Sequence, residues 1–247
     1  MISDSILIWR SACATDVGKV RRVNEDAYLD LHELGLWVVA DGMGGHMAGD
    51  VASRMIVESC KQIDEPKDLN SFIADVEYRL IEVNRKLREM AEQQYNDSTI
   101  GSTVAALLAY DRQCACLWAG DSRIYRLRDN KLEQMTRDHS MVEEYLAEGF
   151  MSPEEVYNSG LANALTRAIG AQDELEVDVR IEDMQDGDSF LLCSDGLYRE
   201  VTEDELTQLM SGGDDSTTIT NNLLERALSR EAKDNITVSV IQIRDAY

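Results

Sequence analysis

Asp41, Asp195 and Asp234 occupy the same kind of place along the chain: Asp41 ends the apolar run LWVVA, Asp195 ends FLLCS, and Asp234 precedes ITVSVIQI. Asp121 follows a fourth such run, LWAG. A strand end in a packed sheet is fixed by the core while its tip reaches solvent, which is what a preorganised ion site requires. Acids that are distant in the chain but placed at comparable strand ends can converge at one end of a pair of sheets. Oxygen donors without a supporting His or Cys cluster suit Mg²⁺ or Mn²⁺ rather than zinc or copper. Taken singly, Asp41-Gly42, Asp195-Gly196 and Asp234-Asn235 are also ordinary turn signals, because Gly accepts positive φ and Asp caps its neighbours.

Two further segments carry chemistry. In Arg21-Arg22-Val23-Asn24-Glu25-Asp26 a guanidinium can clamp phosphate oxygens in bidentate fashion; standing alone, an Arg beside acids reads equally as a surface ion pair. The stretch 42–49 is glycine-rich and runs into a helix, but its spacing does not match G-x-G-x-x-G, and an acid at the strand tip repels a pyrophosphate. Its glycines instead let backbone carbonyls and water approach cations closely.

The elements that must hold these residues follow from periodicity. Strands are expected at 6–14, 28–31, 36–40, 102–109, 115–119, 124–128, 189–193 and 236–243, with turns at 16–19 and Asp129-Asn130. A strand at 174–182 alternates Leu175, Val177, Val179 and Ile181 against charges, which predicts a half-exposed strand with its apolar face inward. A helix should begin soon after Gly45, through Ala52, Met55, Ile56 and Ser59. A long one over about 69–94 carries Phe72, Val76, Leu80, Val83, Leu87 and Met90 as one apolar stripe for the protein's own sheet. Two more helices are expected near 203–210 and 217–231. Strands outnumber the helices available as crossovers, so strict βαβ alternation fails. Two mostly antiparallel sheets packed together, with helices outside, fit better: an α+β fold. With two prolines and no Gly/Ser-rich linker, one domain over 1–247 is expected.

Composition narrows the partners. The formal net charge is −23, from 24 basic and 47 acidic residues, which argues against general affinity for nucleic acid or an anionic membrane. A metal site accounts for only a handful of the acids; most must form a solvated surface. The five cysteines, Cys13, Cys60, Cys114, Cys116 and Cys193, form no disulfide-like framework and suggest a reducing compartment. Cys114 and Cys116 lie two apart without a second Cys/His pair, so zinc is not expected there. The apolar run near the N-terminus is too short for a signal peptide, and no window reaches the length of a membrane span. A soluble, cytoplasmic monomer is the expectation.

The motifs RRVNEDAY from Arg21, VVADGMGGHMAGDVAS from Val38, GSTVAALL from Gly101 and AGDSRIYRLRD from Ala119 occur in that order. DHS at Asp138, LTRAIG from Leu165, LLCSDGLY from Leu191 and DNITV from Asp234 follow them. As an ordered set they resemble the type 2C, metal-dependent serine/threonine protein phosphatases (the PPM family) in their compact bacterial form. Each motif alone is weak; the series covers nearly the whole chain.

The resemblance implies an αββα sandwich with a metal cluster at one end of two antiparallel sheets. It matches Asp41, Asp195 and Asp234 to the acids around a first Mn²⁺ or Mg²⁺. Glu25, Asp41 and the Gly42 carbonyl match the surroundings of a second ion, and Asp121 with Asp195 a third position. Arg21 matches the phosphate-binding arginine. The implied reaction is hydrolysis of phosphoserine or phosphothreonine by metal-activated water, with no phosphoenzyme and hence no nucleophilic Cys or Ser. Implied partners are phosphorylated proteins, namely a bacterial Ser/Thr kinase and its targets. Where many eukaryotic members carry a leaving-group acid, this chain has Met43; His46, or a water held by the cations, is left for that role. His139 is expected to tie strand to loop and His32 to lie at the surface. The segment at about 140–163 matches the family's flap, whose acids either select basic phosphopeptides or form a solvated helix face. Two rivals stay open: a catalytically silent scaffold, and an enzyme for small phosphate esters.

Overall fold

The apolar run at 36–40 becomes the first half of β3 (Leu36–Gly44), and its alternation sets the architecture. In the computed structural model, which describes residues 6–44, 48–94, 100–147 and 164–246, Leu36, Val38 and Ala40 pack with a helical layer. Trp37 and Val39 pack into a second core facing the other sheet. Both faces of β3 are therefore apolar, because both are covered.

β3 lies in a sheet with β2 (Asp26–Leu31), β5 (Val104–Tyr110), β6 (Gln113–Ala119) and β9 (Asp178–Asp183), in the order β2-β3-β5-β6-β9. β4 (Ile100–Ser102) pairs with the outer end of β3. The second sheet has the order β1-β11-β10-β7-β8, built from β1 (Leu7–Asp16), β7 (Arg123–Arg128), β8 (Lys131–Gln134), β10 (Ser189–Cys193) and β11 (Ile236–Asp245). Every pairing in both sheets is antiparallel.

α1 (Gly49–Cys60) and α2 (Leu69–Gln94) cover one sheet. Phe72, Val76, Leu80, Val83 and Leu87 of α2 are all buried in the core beneath it, as the stripe predicts; each such side chain contributes roughly 1.5–3 kcal/mol. α4 (Asp195–Tyr198), α5 (Glu203–Met210) and α6 (Ser216–Leu228) cover the other sheet. α5 starts on a capping box between Thr202 and Glu205, and α6 on Asp215, which accepts from the Thr218 N–H at 2.8 Å. The layers are helix, sheet, sheet, helix: the expected αββα sandwich. Among the described residues no helix is long and apolar enough to cross a membrane.

The structure departs from the sequence reading in several places: β3 runs on past Asp41 to Gly44, where it pairs with β4, and Asp195-Gly196 opens a short helix rather than a turn. The strand expected at 102–109 is split at Thr103, whose N–H donates to the Asp41 carbonyl at 2.9 Å instead of continuing one ladder. β8 was not expected; Asp129 and Asn130, at φ 51° and 58°, form the two-residue turn that makes it the partner of β7. The last helix ends at Leu228 rather than 231.

The largest difference is at 174–182. The strand begins only at Asp178, and its faces are reversed: Val179 and Ile181 are exposed, while Arg180 and Glu182 turn inward. The cause is a set of ion pairs with the other sheet. Arg180 pairs with Glu133 at 2.7 Å, and buried Arg126 lies 2.8 Å from Glu133 and 3.5 Å from Glu182. Leu175 and Val177 still pack against the core under α2, but from a loop.

Candidate metal centre and active site

Continued along β3, the inward face that holds Trp37 and Val39 brings Asp41 to the end of the sandwich. There the space between the sheets changes from apolar to polar. Asp26 is opposite Asp41 in the β2–β3 ladder. From the facing sheet, Ser194 Oγ and Thr237 Oγ1 donate to Asp26 Oδ2 at 2.8 and 2.7 Å. Asp41 is anchored through its backbone: its N–H donates to Thr103 Oγ1 at 3.1 Å, and its carbonyl accepts from Ser102 Oγ at 2.9 Å.

Above this floor lies a cleft of about 200 Å³. The predicted Arg21, Glu25, Asp41, Gly42, Asp121, Asp195 and Asp234 all line it, with Met43, Thr103, Leu165, Arg199 and Asn235 among the rest. Each acid arrives from a different element: Glu25 from the loop before β2, Asp41 from β3, Asp121 from the β6–β7 turn, Asp195 from the start of α4, Asp234 from the approach to β11. His46 lies outside the described residues, as does the 148–163 part of the expected flap. The described start of that flap is α3 (Met141–Ala147), where Glu143 pairs with Arg137 at 3.1 Å.

Gly42 explains its own presence. A Cβ on it would sit 2.1 Å from the Gly49 carbonyl oxygen and 2.5 Å from that of Glu25, so β3, the start of α1 and the Glu25 loop meet there backbone to backbone. Gly42 N–H donates to the Glu25 carbonyl at 3.1 Å. On the other flank Asn235, which sequence reasoning passed over, ties the Arg21–Glu25 loop to β11. Its Nδ2 donates to the carbonyls of Val17 and Val23 at 2.9 and 3.1 Å, and its Oδ1 accepts from the Glu25 N–H at 2.8 Å.

The electrostatics are those of crowded acids. Burial first, then Asp26, Asp195, Asp121 and Asp234, holds the Asp41 carboxyl well above the usual carboxylate range. Burial likewise raises Asp195 against the lowering effect of Arg199, and raises Glu25 against that of Arg21. Asp121 is pushed up to about 6 by burial and then by Asp195, and Asp26 to about 7 mainly by burial. Asp195 Oδ1 is buried without a hydrogen-bond partner.

These residues fit divalent cations. Five carboxylates (Glu25, Asp41, Asp121, Asp195, Asp234) line the cleft against the two guanidiniums of Arg21 and Arg199, leaving an excess of negative charge that hard cations offset. Unpaired, buried Asp195 Oδ1 is a donor of the type such an ion takes. Among the described residues no three acids yet close on one point; Asp234 is drawn to Arg21 at 2.7 Å and Asp195 to Arg199 at 2.9 Å. A set this open suits ions that retain several waters.

Arg21 thus makes an ion pair and also lines the cleft with a half-exposed side chain. Met43 faces the cleft where it has no proton to give. His139 is a tie, as expected: its Nδ1 accepts from the Gly120 N–H at 3.2 Å, its Nε2 is 3.3 Å from Asp178, and its ring stacks on Trp118. Burial keeps it below the ordinary imidazole value. His32 is exposed. All five cysteines are free thiols, and four of them are buried.

Comparison with known proteins gives a consistent picture. A family model described as Protein phosphatase 2C matches residues 19–235. The serine/threonine phosphatase stp of Listeria welshimeri is 35% identical over 237 residues, covering 92% of this chain and 93% of that protein. A solved structure of PppA, described as a key regulatory component of T6SS in Pseudomonas aeruginosa, is 42% identical with a TM-score of 0.89, over 97% of this chain and 100% of that one. The catalytic domain of the serine/threonine protein phosphatase PstP in complex with two manganese ions is 32% identical with a TM-score of 0.86, over 97% of this chain and 100% of its own. The chain therefore belongs to the protein phosphatase 2C family and is a protein-serine/threonine phosphatase.

Proposed function

We propose that this phosphatase is metal-dependent, with Glu25, Asp41, the Gly42 carbonyl, Asp195 and Asp234 holding two Mn²⁺ or Mg²⁺ ions, and that it reverses a bacterial Ser/Thr kinase in the cytoplasm. The observation that carries the reading is the convergence of five chain-distant carboxylates on one cleft, with Asp195 Oδ1 buried and unpartnered. The two manganese ions in the PstP complex support it. Five free thiols fit a reducing compartment.

When bound, such cations lower the pKa of a water so that it can attack phosphorus near neutral pH. The chain's own residues do the rest. Arg21, held at the rim through the Asn235 clasp on its loop, binds two phosphoryl oxygens and offsets their charge in the transition state. The backbone bonds of Asp41 to Ser102 and Thr103 fix its carboxylate at the base of the cleft. Met43 and Leu165 give the wall apolar surface. The leaving seryl or threonyl oxygen needs a proton, for which His46 is the side-chain candidate. Substrate class is tested by comparing phosphate release from a phosphothreonine peptide, glucose 6-phosphate and ATP under one Mn²⁺ concentration. Preference for the peptide is expected; preference for either small ester would transfer the reading to a small-molecule phosphatase.

A further inference from the structure

Asp121 and Asp195 face each other in the cleft with a cation of the protein's own between them. Arg199 follows α4, four residues after Asp195, so one helical turn returns its guanidinium to that carboxylate. Its Nη2 lies 2.9 Å from Asp195 Oδ2 and 3.8 Å from Asp121 Oδ2. The contact divides the work of Asp195: Oδ2 is held by Arg199, while Oδ1 remains unpartnered and buried.

Asp121 is not free to leave this arrangement. Tyr198 Oη donates to Asp121 Oδ2 at 3.3 Å. The Tyr198 ring is itself pinned by Arg123, whose guanidinium carbon sits 3.7 Å from the ring centroid. Arg123 is locked in turn by Asp138, at 3.0 Å from Nε to Oδ1 and 2.7 Å from Nη2 to Oδ2, and by Tyr125 Oη at 2.9 Å. Asp138 of the DHS motif and Tyr198 of LLCSDGLY therefore act together to present Asp121 to Arg199.

From this geometry we infer that Arg199 is the resident cation of the Asp121–Asp195 pair, so that this chain takes up two divalent ions and fills the third-ion position with a guanidinium. The inference rests on the metal-dependent reading above. An ion entering between Asp121 and Asp195 must break the Arg199–Asp195 ion pair and meet the repulsion of a guanidinium that α4 keeps nearby. Asp41, Glu25 and Asp234, together with Asp195 through its unpartnered Oδ1, would hold the two other ions, and the Arg199 contact is on Asp195 Oδ2.

Mn²⁺ stoichiometry decides the matter without reference to turnover. Equilibrium dialysis with metal analysis is run on the full chain, on Arg199→Gln and on Arg199→Gln/Asp121→Asn, with circular dichroism to confirm that each is folded. The expected counts are two ions, three ions and two ions. Where wild type shows a third ion at high Mn²⁺, Arg199→Gln should bind it about tenfold more tightly or better, the scale of one lost charge-assisted hydrogen bond. A third ion held equally by wild type and Arg199→Gln, or two ions in both, overturns the inference while leaving the two-ion reading intact. A folded wild type that binds no Mn²⁺ overturns both.

Discussion

Asp26 of β2 and Asp41 of β3 stand directly opposite one another in an antiparallel ladder, an arrangement that places two carboxylates where like charges destabilise a sheet. The pair persists because the two acids are handled differently. Asp26 is buried against the Ser194 and Thr237 hydroxyls of the facing sheet, and its carboxyl is pushed up to about 7. Asp41 reaches the cleft. Truncating Asp26 to Ala leaves both hydroxyls without that acceptor, so a loss of about 1–3 kcal/mol is expected in urea unfolding. Mn²⁺ affinity should fall alongside it. An unchanged unfolding midpoint would show that the Asp26 contacts to Ser194 and Thr237 do not hold the sheets together.

The raised carboxyls make stability depend on pH in a defined direction. Asp26 at about 7 and Asp121 at about 6 lie above the ordinary 3.8, so the folded protein binds more protons than the unfolded chain between those values. Their contribution is fully present below about pH 4 and is lost as pH rises through 6 and 7, by roughly 1.4 kcal/mol per pH unit for each proton. His139, lowered by burial, opposes this just below its ordinary 6.5 and offsets part of one proton. Thermal melts in chelator should therefore show lower stability at pH 8 than at pH 6, with Mn²⁺ protecting more strongly at pH 8. A chelated protein that gains stability across that interval would contradict the burial of these acids.

Asn235→Ala removes three hydrogen bonds that hold the loop carrying Arg21 and Glu25. With Arg21 proposed to bind the phosphoryl group and Glu25 a cation, the expected result is a raised KM for phosphopeptide together with weaker Mn²⁺ binding, each by about tenfold. Steady-state kinetics with a Mn²⁺ titration separates the two effects. A fall in kcat alone would mean that the clasp positions neither residue.

Gly42→Ala tests the backbone junction. The new methyl would meet the Gly49 carbonyl oxygen at 2.1 Å, and both partners are main chain, so β3 and α1 must part. Destabilisation of about 1–3 kcal/mol is expected, with Mn²⁺ affinity reduced because the Gly42 carbonyl moves. Wild-type stability and metal binding in this variant would show the junction to be looser than described.

Much of this was legible in the sequence because the signals were local and repeated. β10 (Ser189–Cys193) and α5 (Glu203–Met210) occupy the predicted residues, the first bounded by Asp188 and the start of α4, the second by the Thr202 cap. α2 was legible from one apolar stripe. What was not legible depended on distant partners. Arg180 and Glu182 face inward only because Glu133 and Arg126 await them across the sandwich, and alternation alone assigns charges outward. Thr103 breaks its strand to bond Asp41. Arg199 was passed over because its role appears only when the short helix α4 returns it to Asp195; an acid and an arginine four apart was the available signal. The clasp of Asn235 spans over two hundred residues of chain and has no local signature.

If Asp41 and Asp195 hold the cations that make hydrolysis possible, turnover depends on both carboxylates and on the metal. The measurement is phosphate release from a phosphothreonine peptide by wild type, Asp41→Ala and Asp195→Ala, with Mn²⁺ and with chelator, each protein checked for folding. Turnover by wild type that requires Mn²⁺ and falls by about a thousandfold or more in both variants is the predicted result. Turnover that survives chelation, or either substitution in a folded protein, would contradict it.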